Sequence, residues 1–511
     1  MPVLRCGGLG CWVLLLLLAA GPAEGAQLTG VDGLIRVYDA ILDADFDDAD
    51  AELARACPPA PREACDVLAA TRTWWRIQLD AESRALDERF TAEVERAIAS
   101  TEAWAAREPG NAEAHFYAGA AYACRVQWRV LRDEKLAAAR DGKRIKQALE
   151  RAIALDPSLE DAYFGIGLYQ YYADVAPSAA KVLRFLLMLP GGDRTEGLAR
   201  MQRARANGRL LQGEADYQLQ IVHLWYERRT DLAVELLTSL AVRYPGSPLF
   251  PAQLADVQDR YQHDLTATLA TWRGLLAGTV AGRLHERDLA AAQARLGIAR
   301  TLEALHETDA ALEQLRTLVA ARPSRPHGAL AAAYLALGEG EDRLGHRDAA
   351  LAAYRLAVSA APHDGRDVRA RADERMRRAP DPVRAEAYRL SLEGWRALEA
   401  GRASDAEPRL ARAVALDPRD PVLRYRHARA LLARRDDTAA RAELEIAVDR
   451  GREAPAPIAA AALLDLARLE ERLALRDRAL AHYEAASTWF GGAAETHAAA
   501  RRALIRLRAD R

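Results

Sequence analysis

The sequence predicts an all-α fold: an α-solenoid of antiparallel helix pairs, with an irregular N-terminal half that carries inserted helices. Three observations predict it. Half of the 511 residues are apolar but only 6% are aromatic, and Ala and Leu carry the apolar share. Both favour helices, and Ala lets neighbouring helices approach closely. In the C-terminal half, small and large residues recur at matching positions, with copies starting at Ala387 and 34 residues later at Pro421. The chain is also far longer than one ordinary domain, which suits an array of stacked units.

Residues 1–25 read as an export signal. Arg5 supplies a positive start, Trp12 to Ala20 is a short apolar run, and Ala23-Glu24-Gly25 places small residues where a signal peptidase reads. Cleavage is expected after Gly25, with Ala23 or Ala26 as alternatives. The run is short for a bilayer span, and an uncleaved N-terminal anchor is the alternative. Leu9-Gly10-Cys11 resembles a lipobox, but its Cys precedes the apolar run instead of following it. The expected localisation is therefore periplasmic or secreted, with no integral membrane insertion after cleavage. In such a compartment Cys57 and Cys65, which bracket a Pro-rich loop, are expected to form a disulfide. Cys124 is then unpaired and reads as a small buried hydrophobe.

Residues 30–275 read as a degenerate helical domain with insertions. Residues 30–108 are helical in loose register. Ala114 to Tyr122 opens a pair whose second helix, Ile145 to Leu155, arrives late, so Gln127 to Arg144 reads as inserted. Asp156-Pro157 forms a turn, and Ser158 with Asp161 three residues on reads as the next helix start. Val175 to Arg194 interrupts the following pair, and Glu214 to Pro245 is close to regular length.

Residues 285–364 and 387–511 are more regular. From Ala331, the residues Tyr334, Leu337, Gly338, Ala350, Tyr354, Ala357 and Pro362 fall at positions 4, 7, 8, 20, 24, 27 and 32. Three further copies carry Leu390, Gly394, Ala406, Leu410, Ala413 and Pro418; then Ala428, Ala440, Leu444 and Ala447; then Leu463, Leu466, Ala467, Ala479, Tyr483 and Ala486. Small residues let the two helices of a pair approach, large ones fill the gaps, and Pro ends the second helix. These residues resemble the tetratricopeptide repeat over most of 285–511. The resemblance implies a stacked superhelix whose first helices line a concave groove. It also implies a protein or peptide partner. A weaker resemblance, to inclusion-body-clearance tetratricopeptide proteins, rests on Phe164-Gly-Ile-Gly-Leu-Tyr169, Pro177, Pro190-Gly-Gly-Asp-Arg194 and Gly197-Leu198. It implies a shared helical-hairpin insertion and no catalytic residue. The spacer 365–386 carries Pro380 and Pro382, and between 366 and 384 it holds seven Arg against four acids. It reads as a solvated linker or extra helix, a hinge, or a basic patch. Glu495 to Arg511 suits a polar capping helix.

The repeat register places Glu339, Asp342 and Arg343, then Tyr388, Ser391, Trp395 and Glu399, in the implied groove. The next copies add Tyr425 and Arg429, then Arg468, Glu471 and Arg472. Tyr, Trp and Arg are frequent at binding hot spots. The family's carboxylate clamp uses Lys and Asn, and neither occurs in 285–511. Arg remains able to fork to a carboxylate. Of the 32 aromatics, 21 lie between Trp74 and Trp272. Trp74, Trp75, Trp128, Tyr171, Tyr172, Trp225 and Tyr226 are therefore candidates for stacking on a glycan or small ligand, against the alternative of a bulkier core. Trp74 and Trp75 are neighbours about 100° apart on a helix, so at least one is expected to face away from the local core.

No catalytic constellation is legible. Asp141-Gly142-Lys143 lacks the first Gly of a phosphate loop, and His285-Glu286 lacks the second His of a zinc motif. The Asp43-x-Asp45-x-Asp47 run begins like a calcium loop but has Asp48 where Gly is needed and Ala54 where Glu is needed. No cofactor or metal is expected. The net charge of −2, from 71 basic and 73 acidic residues, gives no general attraction to nucleic acid. The expectation is an exported protein-interaction scaffold rather than an enzyme. The alternatives are a glycan- or small-ligand-binding solenoid and a glycan-acting enzyme with a non-motif site.

Overall fold

A computed structural model of the chain describes residues 28–175 and 191–509. The expected export signal and part of the expected 175–194 insertion lie outside the described residues. Every regular element among the described residues is helical. The N-terminal half holds α1 (Val31–Leu42), α2 (Phe46–Ala56), α3 (Arg62–Gln78), α4 (Asp87–Arg107), α5 (Ala112–Leu131) and α6 (Lys135–Leu155). It continues through α7 (Asp161–Val175), α8 (Arg194–Asn207), α9 (Gln212–Trp225), α10 (Thr230–Arg243), α11 (Leu249–Arg260) and α12 (Leu265–Val280). The C-terminal half holds α13 (Arg287–Ala304), α14 (Thr308–Ala321), α15 (Ala329–Arg343), α16 (Arg347–Ala360), α17 (Arg366–Arg377) and α18 (Pro382–Glu399). It ends with α19 (Ala403–Leu416), α20 (Pro421–Ala433), α21 (Asp437–Asp449), α22 (Ala456–Arg472), α23 (Arg476–Thr488) and α24 (Ala494–Ala509). No helix of the described residues is long and apolar enough to cross a membrane.

The helices start where short polar side chains satisfy free N–H groups. Asp45, Asn111, Asp193, Asp264, Asp381, Asp420 and Asp436 each accept a backbone N–H in the first turn of the following helix. Asp45 thus caps α2, while Asp43 accepts the N–H of Gly246 and Asp50 pairs with Arg72. Among the described residues no group of acids, His and Cys could hold a metal. Pro382 and Pro421 occupy the first helical position, where their missing N–H costs nothing. Ser158 does not cap with Asp161. Ser158 donates to Asp156, while Asp161 accepts N–H groups of Arg209, Leu210 and Leu211 and ties α7 to the α8–α9 junction.

The antiparallel pairs stack as a tetratricopeptide-like solenoid. The repeat residues Ala350, Tyr354, Ala357, Ala406, Leu410, Ala413, Ala440, Leu444, Ala479 and Ala486 are fully buried. Gly338 shows why position 8 must be small: a Cβ there would sit 2.5 Å from the Tyr354 ring. In α7 and α8, Gly167 and Gly197 face each other, and a Cβ on Gly167 would lie 2.6 Å from the Gly197 carbonyl oxygen. The weaker family resemblance therefore marks a backbone-to-backbone contact. The stretch 127–144 is not a separate insertion. It lengthens α5 and α6, whose turn comes at Arg132–Glu134. Arg132 fastens this extension by donating to Asp87 and to the carbonyls of Ala81 and Ser83.

The first three helices are not further repeats. α3 packs on α5, side chains of α1 and α3 reach α9 and α11, and the residues just after α3 reach α13, so these helices lie in the hollow lined by first helices of the pairs. Trp75 packs on Tyr217 at 4.8 Å and on Phe250 at 6.1 Å. Tyr38 donates to Glu214 at 3.0 Å, and Tyr244 donates to Asp39 at 2.9 Å. Beyond α3, Leu79 accepts from Gln293, and Asp80 accepts the N–H of His327. This arrangement corrects the expectation for Trp74 and Trp75. Both are buried, because α3 is covered on one side by Phe90 and on the other by α9 and α11. At the far end, the α23–α24 loop returns to the α11–α12 turn, where Phe490 meets the His263 ring at 5.4 Å.

Candidate functional site

The stacking breaks once in the C-terminal half, and the break makes a cleft. α17 is the extra helix expected in the Arg- and Pro-containing spacer. It closes over α15 and α16 by burying Ala372 against Leu335 and Tyr354. The chain then runs through Arg378–Asp381 with Pro380, and α18 packs against the α13–α14 turn instead of continuing on α17. Tyr388 on α18 shares a hydrogen bond of 2.8 Å with Thr308. Arg396 donates to Asp309 and Glu307. Arg426 on α20 is 2% exposed and donates to the His306 carbonyl at 2.7 Å.

Between α13, α15, α17, α18 and the α19–α20 turn lies a cleft of about 1130 Å³. Its walls carry Arg300, Glu303, Glu339, Arg343, Arg371, Arg375, Arg378 and Tyr388, among others. Arg371 holds Glu339 at 2.6 Å, and Arg375 reaches the same carboxylate at 3.2 Å. Arg343 lies 3.4 Å from Glu303 and over the Tyr388 ring at 5.5 Å. Asp342 is taken by Arg347 and by the Tyr354 hydroxyl at 2.9 Å. Burial raises the Glu303 carboxyl above the usual range, and Arg343 only partly offsets it. Burial drives the His306 imidazole down to about 4, helped by Arg343 and Arg426, so it is neutral at pH 7.

The structure separates the residues that the repeat register places in the groove. Glu339, Asp342, Arg343 and Tyr388 line the cleft. Ser391 does not reach it: this residue is fully buried, 3.3 Å from the Arg426 guanidinium. Tyr388 and Tyr425 are also largely buried, at 7% and 6% exposure. Register gives the direction of a side chain, while the returning α13–α14 turn covers several of these positions. Trp395, Tyr425, Arg429, Arg468 and Arg472 form a second stretch farther along. Trp395 and Tyr425 rings lie 6.4 Å apart, and Arg429 and Arg468 both approach Asp465, at 3.4 Å and 3.3 Å. Glu399 is spent on Arg396, Glu471 on Arg506 and Tyr483, and Arg472 on Asp437. The register missed Arg300, Arg371, Arg375 and Arg378. The excess of Arg in the spacer signalled the last three, and Arg300 on α13 had no signal.

The aromatic candidates are mostly core. Trp74, Trp75 and Tyr171 are buried, which removes them from any stacking surface. Trp128 is half-buried against Phe90 and donates to Asp87. Tyr171, Tyr172 and Tyr226 pack edge to face, leaving Trp225 at 67% exposure and Tyr226 at 41%. The structure joins Cys57 to Cys65 with Cα atoms 6.6 Å apart, within the normal span of a disulfide. Cys124 is buried, as expected, and burial raises its thiol far above the usual range.

No protein-family model matches the chain, and no curated protein matches it. Solved structures do. A tetratricopeptide repeat protein from Parabacteroides merdae is 18% identical, over 58% of this chain and 98% of that one, with a TM-score of 0.27. A Rap protein complexed with competence and sporulation factor is 12% identical, over 94% and 98%, with a TM-score of 0.32. The TPR2AB domain of yeast Sti1, in a pHSP90 complex, is 14% identical, over 58% and 96%, with a TM-score of 0.23.

Proposed function

We propose that the chain is an exported scaffold that binds a segment of a partner protein in the cleft between α13, α15, α17 and α18. The observation that carries this reading is the cleft itself. At about 1130 Å³ it exceeds the ~300–1000 Å³ typical of small-molecule pockets. Its walls combine Arg and Tyr with small apolar surface at Ala299, Ala304, Ala336 and Ala379. That mixture suits a peptide backbone with polar side chains. The N-terminal hollow is occupied by α1–α3, and among the described residues the C-terminal cleft is an open concave surface.

The test is crosslinking and co-purification of the chain from its native cell envelope, beside an Ala304→Trp variant. Ala304 is exposed at the end of α13 and lines the cleft, so the indole fills the cleft without entering the core. A protein retained by the native chain and lost by the variant supports the reading. A protein retained equally by both moves the site elsewhere. Export is supported by residues 1–25 and by the Cys57–Cys65 pair, and is tested on the same sample. In an oxidising compartment, both thiols resist alkylation until reductant is added. Free thiols in the native sample overturn it.

A further inference from the structure

Two contacts tie α18–α24 back to earlier helices, and they differ in kind. The first is a brace at the α13–α14 turn. There Tyr388 bonds Thr308, Arg396 donates to Asp309, and Arg426, 2% exposed, donates to the His306 carbonyl. Charged donors held away from water make this contact firm. The second is the touch of the α23–α24 loop on the α11–α12 turn. Phe490 meets the His263 ring edge to face at 5.4 Å, yet stays 70% exposed. Among the described residues, no hydrogen bond or ion pair joins these two turns.

Each turn is fixed by its own bonds. His497 bonds the Trp489 carbonyl at 2.9 Å, and the Gly492 N–H donates to the same oxygen at 3.0 Å. On the other side Asp264 caps α12, and His263 holds a φ of 53°, a left-handed backbone that few side chains adopt. Gly491, with a φ of 76°, permits the approach, because a Cβ there would lie 2.8 Å from the His263 carbonyl oxygen. Two rigid tips therefore meet through one exposed ring pair. Such a pair favours contact by only a few-fold to about tenfold. A ring left mostly in water adds little through burial. In a solenoid each pair touches only its neighbours, so neighbour packing alone sets the curvature of the helices beyond the brace.

We propose that the Phe490 loop is a latch. The arm α21–α24 swings about the braced α20 between a closed state, with Phe490 on His263, and an open state with the two turns apart. The swing sets the width of the concave side between α13 and α22, where the repeat register places Arg429 and Arg468. The helices that border the cleft all precede the arm, so the latch does not depend on what the cleft holds.

The experiment puts spin labels on Asp259→Cys and Ala481→Cys in the full chain. Both positions are exposed, the Cys57–Cys65 disulfide takes no label, and Cys124 is buried. Double electron–electron resonance then reports the distances between α11 and α23. Two populations are expected, and Phe490→Ala raises the ratio of the longer to the shorter by at least about threefold. Its thermal melt stays at the native value, since the ring is mostly exposed. Separately, a short bismaleimide bridges a His263→Cys/Phe490→Cys variant, and small-angle scattering of the bridged form gives a smaller radius of gyration than Phe490→Ala. A single distance that Phe490→Ala leaves unchanged overturns the latch, as does identical scattering from the bridged and Phe490→Ala forms. A large drop in the melt of Phe490→Ala also overturns it, because the ring is then a cohesive part of the fold.

Discussion

The two halves of the molecule are built from the same helix pairs and finish differently. In the N-terminal half, α1–α3 fill the hollow, and a buried polar network crosses it. Glu214 is 4% exposed and accepts from Tyr38 and Gln218, and Gln218 shares Gln127 with Trp74. In the C-terminal half no described residue fills the cleft between α13, α15, α17 and α18. Its walls are held by Arg–carboxylate pairs around an open cleft. A solenoid face that is lined by rings and Gln is covered by the chain's own helices. The face lined by Arg and Ala is left open. A repeat pattern thus specifies the scaffold, and departures from it, α1–α3 and α17, decide where a concave surface remains.

The largest test of this contrast is Glu214→Ala. Burial raises the Glu214 carboxyl above its ordinary value, and its bonds from Gln218 and Tyr38 only partly oppose that. Removing it leaves Tyr38 and Gln218 with unmet groups and opens a cavity. The expected loss is about 3 kcal/mol in urea unfolding. Hydrogen exchange should rise first in α1–α3 and least in α18–α24. A uniform rise across both halves would break the contrast.

His306 sharpens the picture of the C-terminal half. Its folded pKa of about 4 lies below the ordinary value of 6.5. Between those values the unfolded chain binds the extra proton. Stability from this residue is therefore fully present above pH 6.5 and is lost as the pH falls toward 4. Nearby Glu303 and Glu307 have raised pKa values and act in the opposite direction. The informative quantity is therefore the difference between native chain and His306→Gln. That difference should shrink by about 2 kcal/mol between pH 7 and pH 4 in denaturant melts. A pH-independent difference would place the imidazole in solvent.

The smallest effect is expected at Arg472. Its pair with Asp437 at 2.8 Å lies on an open surface, with side-chain exposures of 54% and 36%. Arg472→Ala should change unfolding free energy by no more than about 0.5 kcal/mol. A larger loss would mean that this stretch is load-carrying structure rather than free surface.

The sequence by itself determined the helix pairs of the C-terminal half. Ala350, Tyr354 and Ala357, or Ala406, Leu410 and Ala413, must face a partner helix because of their spacing and size, and all six are fully buried. It also determined the Cys57–Cys65 proximity, because an eight-residue separation around Pro-rich chain brings the ends together. The tertiary structure alone decided where the hollow is filled and where it is open. Trp75 looked available from its neighbour Trp74 but is covered by Tyr217 and Phe250, more than 140 residues on. Arg378 looked like linker charge but lines a cleft, because α18 pairs with the α13–α14 turn rather than with α17. Periodicity reports which face of a helix is apolar. It does not report which distant helix covers that face, since contacts at that separation leave no local pattern in the chain.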